Sequence, residues 1–569
     1  MSAYQMPIVQ LNAGGLLAQL EAEIAECTEV QKCYANKVKK FMVTNEIWHL
    51  KELDYAWRIK FEKFLKNEVK PISYTVYLKA FDRLKQHTIC AQLYLAGQEK
   101  YARPVYKNQV LFLPYHPNPE VINKFANAVK KQDLVWDFSI QAPVTMKQQI
   151  FQILHYIIEN EKDGWFRKRK MMALKHLYEY CITADVENID MLELKEINEI
   201  LAQEDLIFHQ RSGIVNYARK VLFLEASEIN WNANVWYMER LHLQPERINP
   251  ACPVDKISFL EVTDADNRNL LKKYMRYNLG LTDLSLSSIN SEFIQVRKFL
   301  AELQPNQNIC TLTKEQILNN INKIEERDIK AASYNGAVKA QVHFLQFLKV
   351  RGDIRELPFD PDYYLKKTVK QHIDRSLEKE IEERILKNLY RFPEELRLIY
   401  LHLWTVGLRI SEVCTLKGNA YYTQNRDTWI QVYQIKTRTY KRIPIPVALY
   451  KLMQVYIEKY QIQSEDYVFK NKNGGAYCSG TFLKKMRDNC QMCGIQRGDY
   501  LFCSHDFRHN VATWFYENQV SLQSIRDYLG HDYEEMTLQY IDYMPKKIDQ
   551  ENEEFFEQEE NNLAAYIMR

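Results

Sequence analysis

The sequence predicts a mainly α-helical, multidomain chain in which a small antiparallel β-hairpin interrupts the helices late in the sequence. Three observations lead there. At 569 residues the chain is too long for one core, so three to four domains are expected. Only 16 Gly and 17 Pro leave few tight turns, as in helices joined by short connections. A stretch of period-two apolar alternation, 429–445, lies among segments whose apolar residues recur every three or four positions.

Proline clusters at Leu113–Pro119, Pro245–Pro253 and Leu357–Pro361 disfavour helix and mark candidate linkers. The chain then divides into a helical region 1–145, a helical module 146–255, a second helical module 256–357, a domain 366–545 and an acidic tail 546–569 ending in Leu563–Met568. In 289–303, Ile289, Phe293, Val296, Phe299, Leu300 and Leu303 fall on one helical face. Thr313 reads as the N-cap of the next helix, with Gln316 completing a capping box. A third helix spans roughly 333–350, with Val338, Val342, Leu345 and Leu348 inward. A fainter copy of this plan runs through 167–181, Ile189–Leu192, a helix to Ile200 and a helix at 212–226, offset by about 120 residues. Two unrelated amphipathic bundles would also look alike. Residues 47–90 form a more degenerate third candidate.

Hydrophobic content of 46% and charged content of 26% describe an ordinary folded protein. With 76 basic and 73 acidic residues, any basic surface must come from sorting charges onto different faces. The 11 cysteines are scattered; Cys490 and Cys493 form a CxxC pair with no second pair at zinc-finger spacing, so no metal site is expected. The cysteines read as reduced thiols. The N-terminus lacks the basic region of a signal peptide, and no apolar run approaches the roughly 20 residues that span a bilayer. These features point to a soluble chain that stays inside the cell.

Chemistry-bearing residues concentrate in 366–545. In Thr405–Leu416, Gly407 can close a helix in the left-handed conformation, placing Arg409 at the start of the next, with Glu412 one turn on. Guanidinium matches phosphate with two parallel hydrogen bonds. Lys436 ends the first hairpin strand, with Lys441 and Arg442 on the return; taken alone, this is a charged hairpin tip. In Ser504–Asn510, His505 and Arg508 stand three apart and share a helix face, whereas His509 reads as pointing elsewhere in a structural role. Gly530 ends a helix, His531 follows, and Tyr540 comes nine residues later, with Tyr528, Tyr533 and Tyr543 as competitors among 37 tyrosines. Two arginines, a lysine or histidine acid, a histidine base and a hydroxyl nucleophile are what cutting a phosphodiester without metal or water requires.

The ordered set Arg409, Lys436, His505-x-x-Arg508, Leu-Gly-His531 and Tyr540 resembles the tyrosine recombinase (phage integrase) family. Gly-Leu-Arg-Ile-Ser-Glu-Val is similar to its first arginine motif and His-Asp-Phe-Arg-His to its second. Lys436 lies eight residues before Pro444, as the family's hairpin lysine does before its proline. The resemblance implies the tyrosine recombinase catalytic fold for 366–545 and a core-binding (SAM-like) domain for 256–357. Residues 1–260 exceed that family's plan, and 146–255 reads either as a core-binding-like repeat or as a surface for partner proteins. The region 1–145 would be an extra DNA- or partner-binding domain.

The family's mechanism implies that Tyr540 attacks the scissile phosphate to leave a 3′-phosphotyrosine. Arg409, Arg508 and His531 would hold the phosphate, Lys436 protonate the leaving group and His505 assist proton transfer at Tyr540. No cofactor or metal is implied. The implied partner is double-stranded DNA, gripped by a homotetramer, with other recombinases or accessory proteins as further candidates; the implied location is the nucleoid of a bacterial cytoplasm. The tail would dock in trans or fray. A mobile-element recombinase fits the enlarged N-terminal region. Alternatives are a type IB topoisomerase-like or telomere-resolvase strand transferase and, from another class, a non-catalytic DNA-binding protein. The basic and aromatic run Trp165–Lys170 could track a phosphate backbone or be a solvated helix start.

Overall fold

In a computed structural model of the chain, residues 5–95, 104–125, 134–202, 208–304, 307–368, 377, 379–495 and 502–540 are described. The tail 546–569 and Tyr543 lie outside them. The chain separates into two compact units, 1–240 and 241–569. No described helix is long and apolar enough to cross a membrane.

The first unit holds helices α1 (Gln5–Glu26), α2 (Lys32–Thr44), α3 (Tyr55–Glu68), α4 (Tyr74–Leu95), α5 (Pro119–Phe125), α6 (Val144–Asn160), α7 (Gly164–Thr183), α8 (Leu194–Ala202) and α9 (Phe208–Glu225). Phe41, Phe61, Phe81 and Leu84 form one core under α1–α4. Phe138, Ile150, Leu154, Leu174, Leu177 and Val221 form another under α6–α9. Strands β1 (Val110–Phe112) and β2 (Val135–Asp137) pair antiparallel beside the second core. The proline stretch 113–119 is not a linker. Leu113 and Pro114 are buried in a 3₁₀ turn, and Pro119 opens α5, since proline is tolerated in a helix's first turn.

After β3 (Val235–Tyr237) in the first unit, the second unit begins with β4 (Lys256–Ser258) and helices α10 (Ala265–Leu281), α11 (Leu286–Ala301), α12 (Lys314–Glu325) and α13 (Ala331–Arg351). The Thr313–Gln316 capping box forms as expected. The stretch 245–253 is a strap rather than a loose joint. The buried Arg247 guanidinium donates to the carbonyls of Asn278, Leu279 and Leu284, and the Ala251 carbonyl accepts from the Ser479 N–H.

The two sets of helices at the candidate repeat share their order and several local bonds. Helices α6, α7, α8 and α9 match α10, α11, α12 and α13 in order, with a 3₁₀ turn after the second helix of each set, at Ile189–Met191 and Ile309–Thr311. Asn188 and Asn308 cap these turns identically, each accepting from the N–H two residues on. The N–H of Ile189 donates to Gln149 of α6, and that of Ile309 to Asn267 of α10, both at 2.8 Å. Before the third helix of each set, the N–H of Glu193 donates to Glu196 and that of Thr313 to Gln316. Three matched bonds, with donors offset by 120 residues, are what a duplicated module would show. Helices α2–α4 keep the helix, 3₁₀ turn, helix, helix order. There the turn's Leu50 N–H reaches Glu23, near the other end of its first helix, so the third copy is only partial.

The remainder packs α14 (Lys379–Asn388), α15 (Glu394–Val406), α16 (Ile410–Cys414), α17 (Val447–Lys459), α18 (Ser479–Met492), α19 (Asp506–Glu517), α20 (Leu522–Leu529) and α21 (Glu534–Leu538) with a three-stranded antiparallel sheet. Its strands are β5 (Tyr421–Gln424), β6 (Asp427–Gln434) and β7 (Thr439–Pro444), in that order. The hairpin β6–β7 was expected; β5 was not. It is joined to β6 by a two-residue loop, Asn425-Arg426, with both φ positive. Such loops usually announce themselves with glycine at the second position, and here an arginine stands there. The core runs from Leu396, Ile399 and Leu403 through Ile430, Val432 and Ile443 to Phe482, Phe502 and Phe507.

Candidate active site

Helix α15 ends at Gly407 in the left-handed conformation (φ +66°), where a Cβ would lie 3.0 Å from Val511 Cβ. The chain therefore turns tightly against α19 and delivers Arg409 to the start of α16. Glu412, almost fully buried, accepts from Arg409 Nη1 at 2.8 Å and from its backbone N–H at 3.0 Å. Arg508, on α19, is equally buried. Its Nη1 donates to the Gly407 carbonyl at 2.9 Å, and its Nη2 to the Leu529 carbonyl at 2.5 Å and to His531 Nε2 at 2.9 Å. An arginine only donates, so His531 Nε2 is an acceptor, its proton sits on Nδ1, and Nδ1–H donates to Thr537 Oγ1 at 3.0 Å. Burial, reinforced by Arg508, Arg409 and Lys441, pushes the His531 imidazole down to about 3, keeping it neutral. Burial, then the neighbouring Arg409 charge, lowers the Arg508 guanidinium to about 10.

Gly530 makes the His531 turn possible. It caps α20 at φ +68°, and a Cβ there would meet Gln434 Nε2 at 2.2 Å; that amide instead donates to the Gly530 carbonyl. Tyr540 follows α21. Its hydroxyl lies 3.0 Å from His505 Nε2, and its ring stacks on His531 with centroids 4.8 Å apart. The Arg508 guanidinium carbon stands 5.6 Å from the same ring.

The structure thus brings together Arg409, His505, Arg508, His531 and Tyr540. Lys436 stands apart, exposed in the four-residue turn 435–438 between β6 and β7, beyond the strand end where the sequence placed it. His509 corrects the sequence reading. Its ring packs on Tyr540 with centroids 4.6 Å apart, because a four-residue step from His505 shares a helix face just as the three-residue step to Arg508 does.

Lys441 was passed over and is central. It is buried, with Nζ 3.2 Å from the Leu529 carbonyl, 3.5 Å from that of Tyr528 and 3.6 Å from Glu412 Oε2. Burial lowers its ammonium to about 8 despite Glu412. For Glu412, burial alone would raise the carboxyl, but Lys441, Arg508 and Arg409 outweigh it and hold it below its ordinary value. The signal was available: the alternation of β7 puts Lys441 on the inward face with Ile443. One carboxylate therefore serves three cations. Glu412→Leu is expected to cost about 3–5 kcal/mol in chemical denaturation, because it leaves buried Lys441 and Arg508 without their carboxylate. Lys441→Met should cost less, since Glu412 keeps Arg409, and the double variant less than the sum, since no buried ammonium is then left without its carboxylate.

A pocket of fixed cations with a phenol at its edge, hydrogen-bonded to a histidine, is equipped to hold a phosphodiester while the phenol oxygen attacks phosphorus. Residues 375–546 match the model of the phage integrase family. Transposase B from transposon Tn554 of Staphylococcus aureus is 24% identical over 339 residues, covering 58% of this chain and 53% of the relative. The tyrosine recombinase XerD of Halalkalibacterium halodurans is 25% identical over 286 residues, covering 46% of this chain and 89% of that protein. A crystal structure of a lambda integrase dimer bound to a COC′ core site aligns at 18% identity and TM-score 0.40, covering 48% of this chain and 76% of that one. The chain spans about half the length of the transposase it matches.

Proposed function

We propose that the chain is a site-specific recombinase of a mobile element, which cuts and rejoins double-stranded DNA through a 3′-phosphotyrosine at Tyr540. The observation that carries this reading is the 3.0 Å contact between the Tyr540 hydroxyl and His505 beside two buried or half-buried arginines. His505 accepts the phenol proton as the Tyr540 oxygen bonds to phosphorus. Arg409 and Arg508 neutralise the charge growing on the non-bridging oxygens. His531 fixes the plane of Arg508, and Lys436, on its exposed turn, reaches the DNA and protonates the departing 5′-oxygen. The phosphotyrosine conserves the bond energy, so a second 5′-hydroxyl reverses the step and joins a new strand without a cofactor. The domain match to the phage integrase family and the similarity to a Tn554 transposase support this reading.

The chain acts as a homotetramer in this proposal, each tail 546–569 docking on a neighbour. An apolar groove of about 690 Å³, lined by Leu401, Trp404, Leu449, Leu452, Trp514 and Phe515, is the receiving surface. Thr513 on its rim bonds the Tyr540 carbonyl, so the chain leaves the site beside the groove, and Leu563–Met568 supplies apolar side chains to fill it. A chain ending at residue 545 is expected to form the phosphotyrosine on single duplexes yet fail to join two; unimpaired joining would rule out this docking.

The functional test is a supercoiled plasmid carrying two copies of the end of the element that encodes the chain. Exchange between the copies is expected. Relaxation of the plasmid without exchange would instead identify a topoisomerase-like strand transferase.

A further inference from the structure

Residues 144–225 match the module 265–351 in helix order and in three local bonds, yet lie far from the catalytic cluster in sequence. The C-terminal copy shows which end of the module serves DNA if the recombinase reading holds. Its loop between α10 and α11, Thr282–Ser285, meets the hairpin turn that carries Lys436: the Asp283 carbonyl accepts from Arg438, and Arg247 pins the Leu284 carbonyl at 2.9 Å. That end of the module therefore borders the cations that a cleaved strand must approach.

The corresponding end of the upstream copy is the turn between α6 and α7, and it is dressed for the same kind of ligand. Trp165 is 59% exposed and Phe166 51% exposed, with ring centroids 4.9 Å apart. The Arg169 guanidinium lies 4.3 Å from the Trp165 ring. Lys162 and Lys168 are exposed on either side. Within 161–170, Glu161 bonds Lys170 and Asp163 caps α7. Over 161–170, five cations against two carboxylates give +3, equal to the net charge of the whole 569-residue chain. Exposed aromatics alone would suit a protein partner; set within so local a cationic excess they suit a phosphate backbone and its sugars and bases.

We propose that the 144–225 module is a second grip on double-stranded DNA, contacting the duplex outside the cleavage site through Lys162, Trp165, Phe166, Lys168 and Arg169. The inference rests on the recombinase reading, because the DNA-facing end was located from the catalytic turn. One enzyme molecule then spans two consecutive stretches of duplex: an inner one held by residues 265–351 and the catalytic domain, and an outer one held by the repeat. A target site longer than one module and one catalytic domain can cover follows from this arrangement.

The test compares the full chain with a Trp165→Ala, Lys168→Ala, Arg169→Ala variant, whose substitutions touch no core position. Both are footprinted with hydroxyl radicals on a duplex containing the element end and scored for covalent adduct on a nicked form of that duplex. The wild type is expected to protect an inner and an outer stretch. The variant should lose the outer one, bind about 10–100-fold more weakly, and show a salt dependence reduced by about two phosphate contacts. Its adduct yield at saturating protein should be unchanged. A variant with the same footprint and salt dependence as the wild type would overturn the proposal and leave the patch to a protein partner. Adduct formation by a wild type that protects only the inner stretch would overturn it too, while sparing the recombinase reading. Absence of both adduct and footprint in the wild type would defeat the recombinase reading itself.

Discussion

Replacing Tyr540 with phenylalanine is expected to abolish the covalent protein–DNA adduct while leaving DNA affinity and fold intact. The substitution removes one oxygen and nothing else. The ring keeps its stacking on His531 and its contact with His509, and the lost hydroxyl contact with His505 is worth about 1 kcal/mol of stability. Chemistry has no such reserve among the described tyrosines nearby, which are placed elsewhere. Tyr533 is largely exposed beyond the α20 cap, and Tyr528 lies on α20 against Phe515. Removing a nucleophile costs on the order of 10⁶ in rate in well-studied hydrolases, so no adduct should be seen on a nicked duplex that traps the wild type. Retained DNA binding, measured in the same samples, separates loss of chemistry from loss of folding.

The second large effect is expected from Arg508→Lys. Arginine reaches three acceptors on two segments at once: the Gly407 carbonyl at the end of α15, and the Leu529 carbonyl and His531 Nε2 at the end of α20. A lysine keeps the charge but has one nitrogen and no planar fork, so it cannot span them. His531 then loses the donor that sets its tautomer, and the Leu529–Gly530–His531 turn loses one of the two side chains, Arg508 and Lys441, that hold the Leu529 carbonyl. Adduct formation in a single turnover should fall about 10²–10³-fold, the usual cost of removing one donor from a site that stabilises developing charge. Thermal stability should fall as well, since the Gly407 carbonyl and His531 Nε2 lose the arginine donors they have in the buried site. The salt dependence of DNA binding should barely move, because the positive charge is retained. A lysine variant of wild-type rate would mean that Arg508 only braces the fold.

Much of the site was legible because its residues announce themselves by local context. Gly407 and Gly530 each close a helix with positive φ, and each places a chemistry-bearing residue, Arg409 or His531, just beyond. The helical spacing of His505 and Arg508 was sufficient to put them on one face. What escaped was what depends on tertiary contact. Gln434 and Lys441 act on a helix end almost 90 or more residues away in sequence, and no local pattern shows that α20 will stop against them. The same limit applies to Glu412: its partnership with Arg409 is a three-residue step and could be suggested, but its second and third cations come from β7 and α19. In the fold, the duplicated module was visible as a period of about 120 residues. The bonds that match across the two sets, each between a turn N–H and a helix some 40 residues upstream, are displayed only by the structure.

The most direct measurement of the central claim is the site of covalent attachment. The full chain is incubated with a nicked duplex from the element end, digested with protease and nuclease, and the peptide carrying a nucleotide is sequenced by mass spectrometry. The expected result is a nucleotide joined through its 3′-phosphate to Tyr540. A nucleotide on Tyr543 or any other residue would contradict the assignment, and a chain that cleaves DNA with no attached nucleotide would contradict the chemistry.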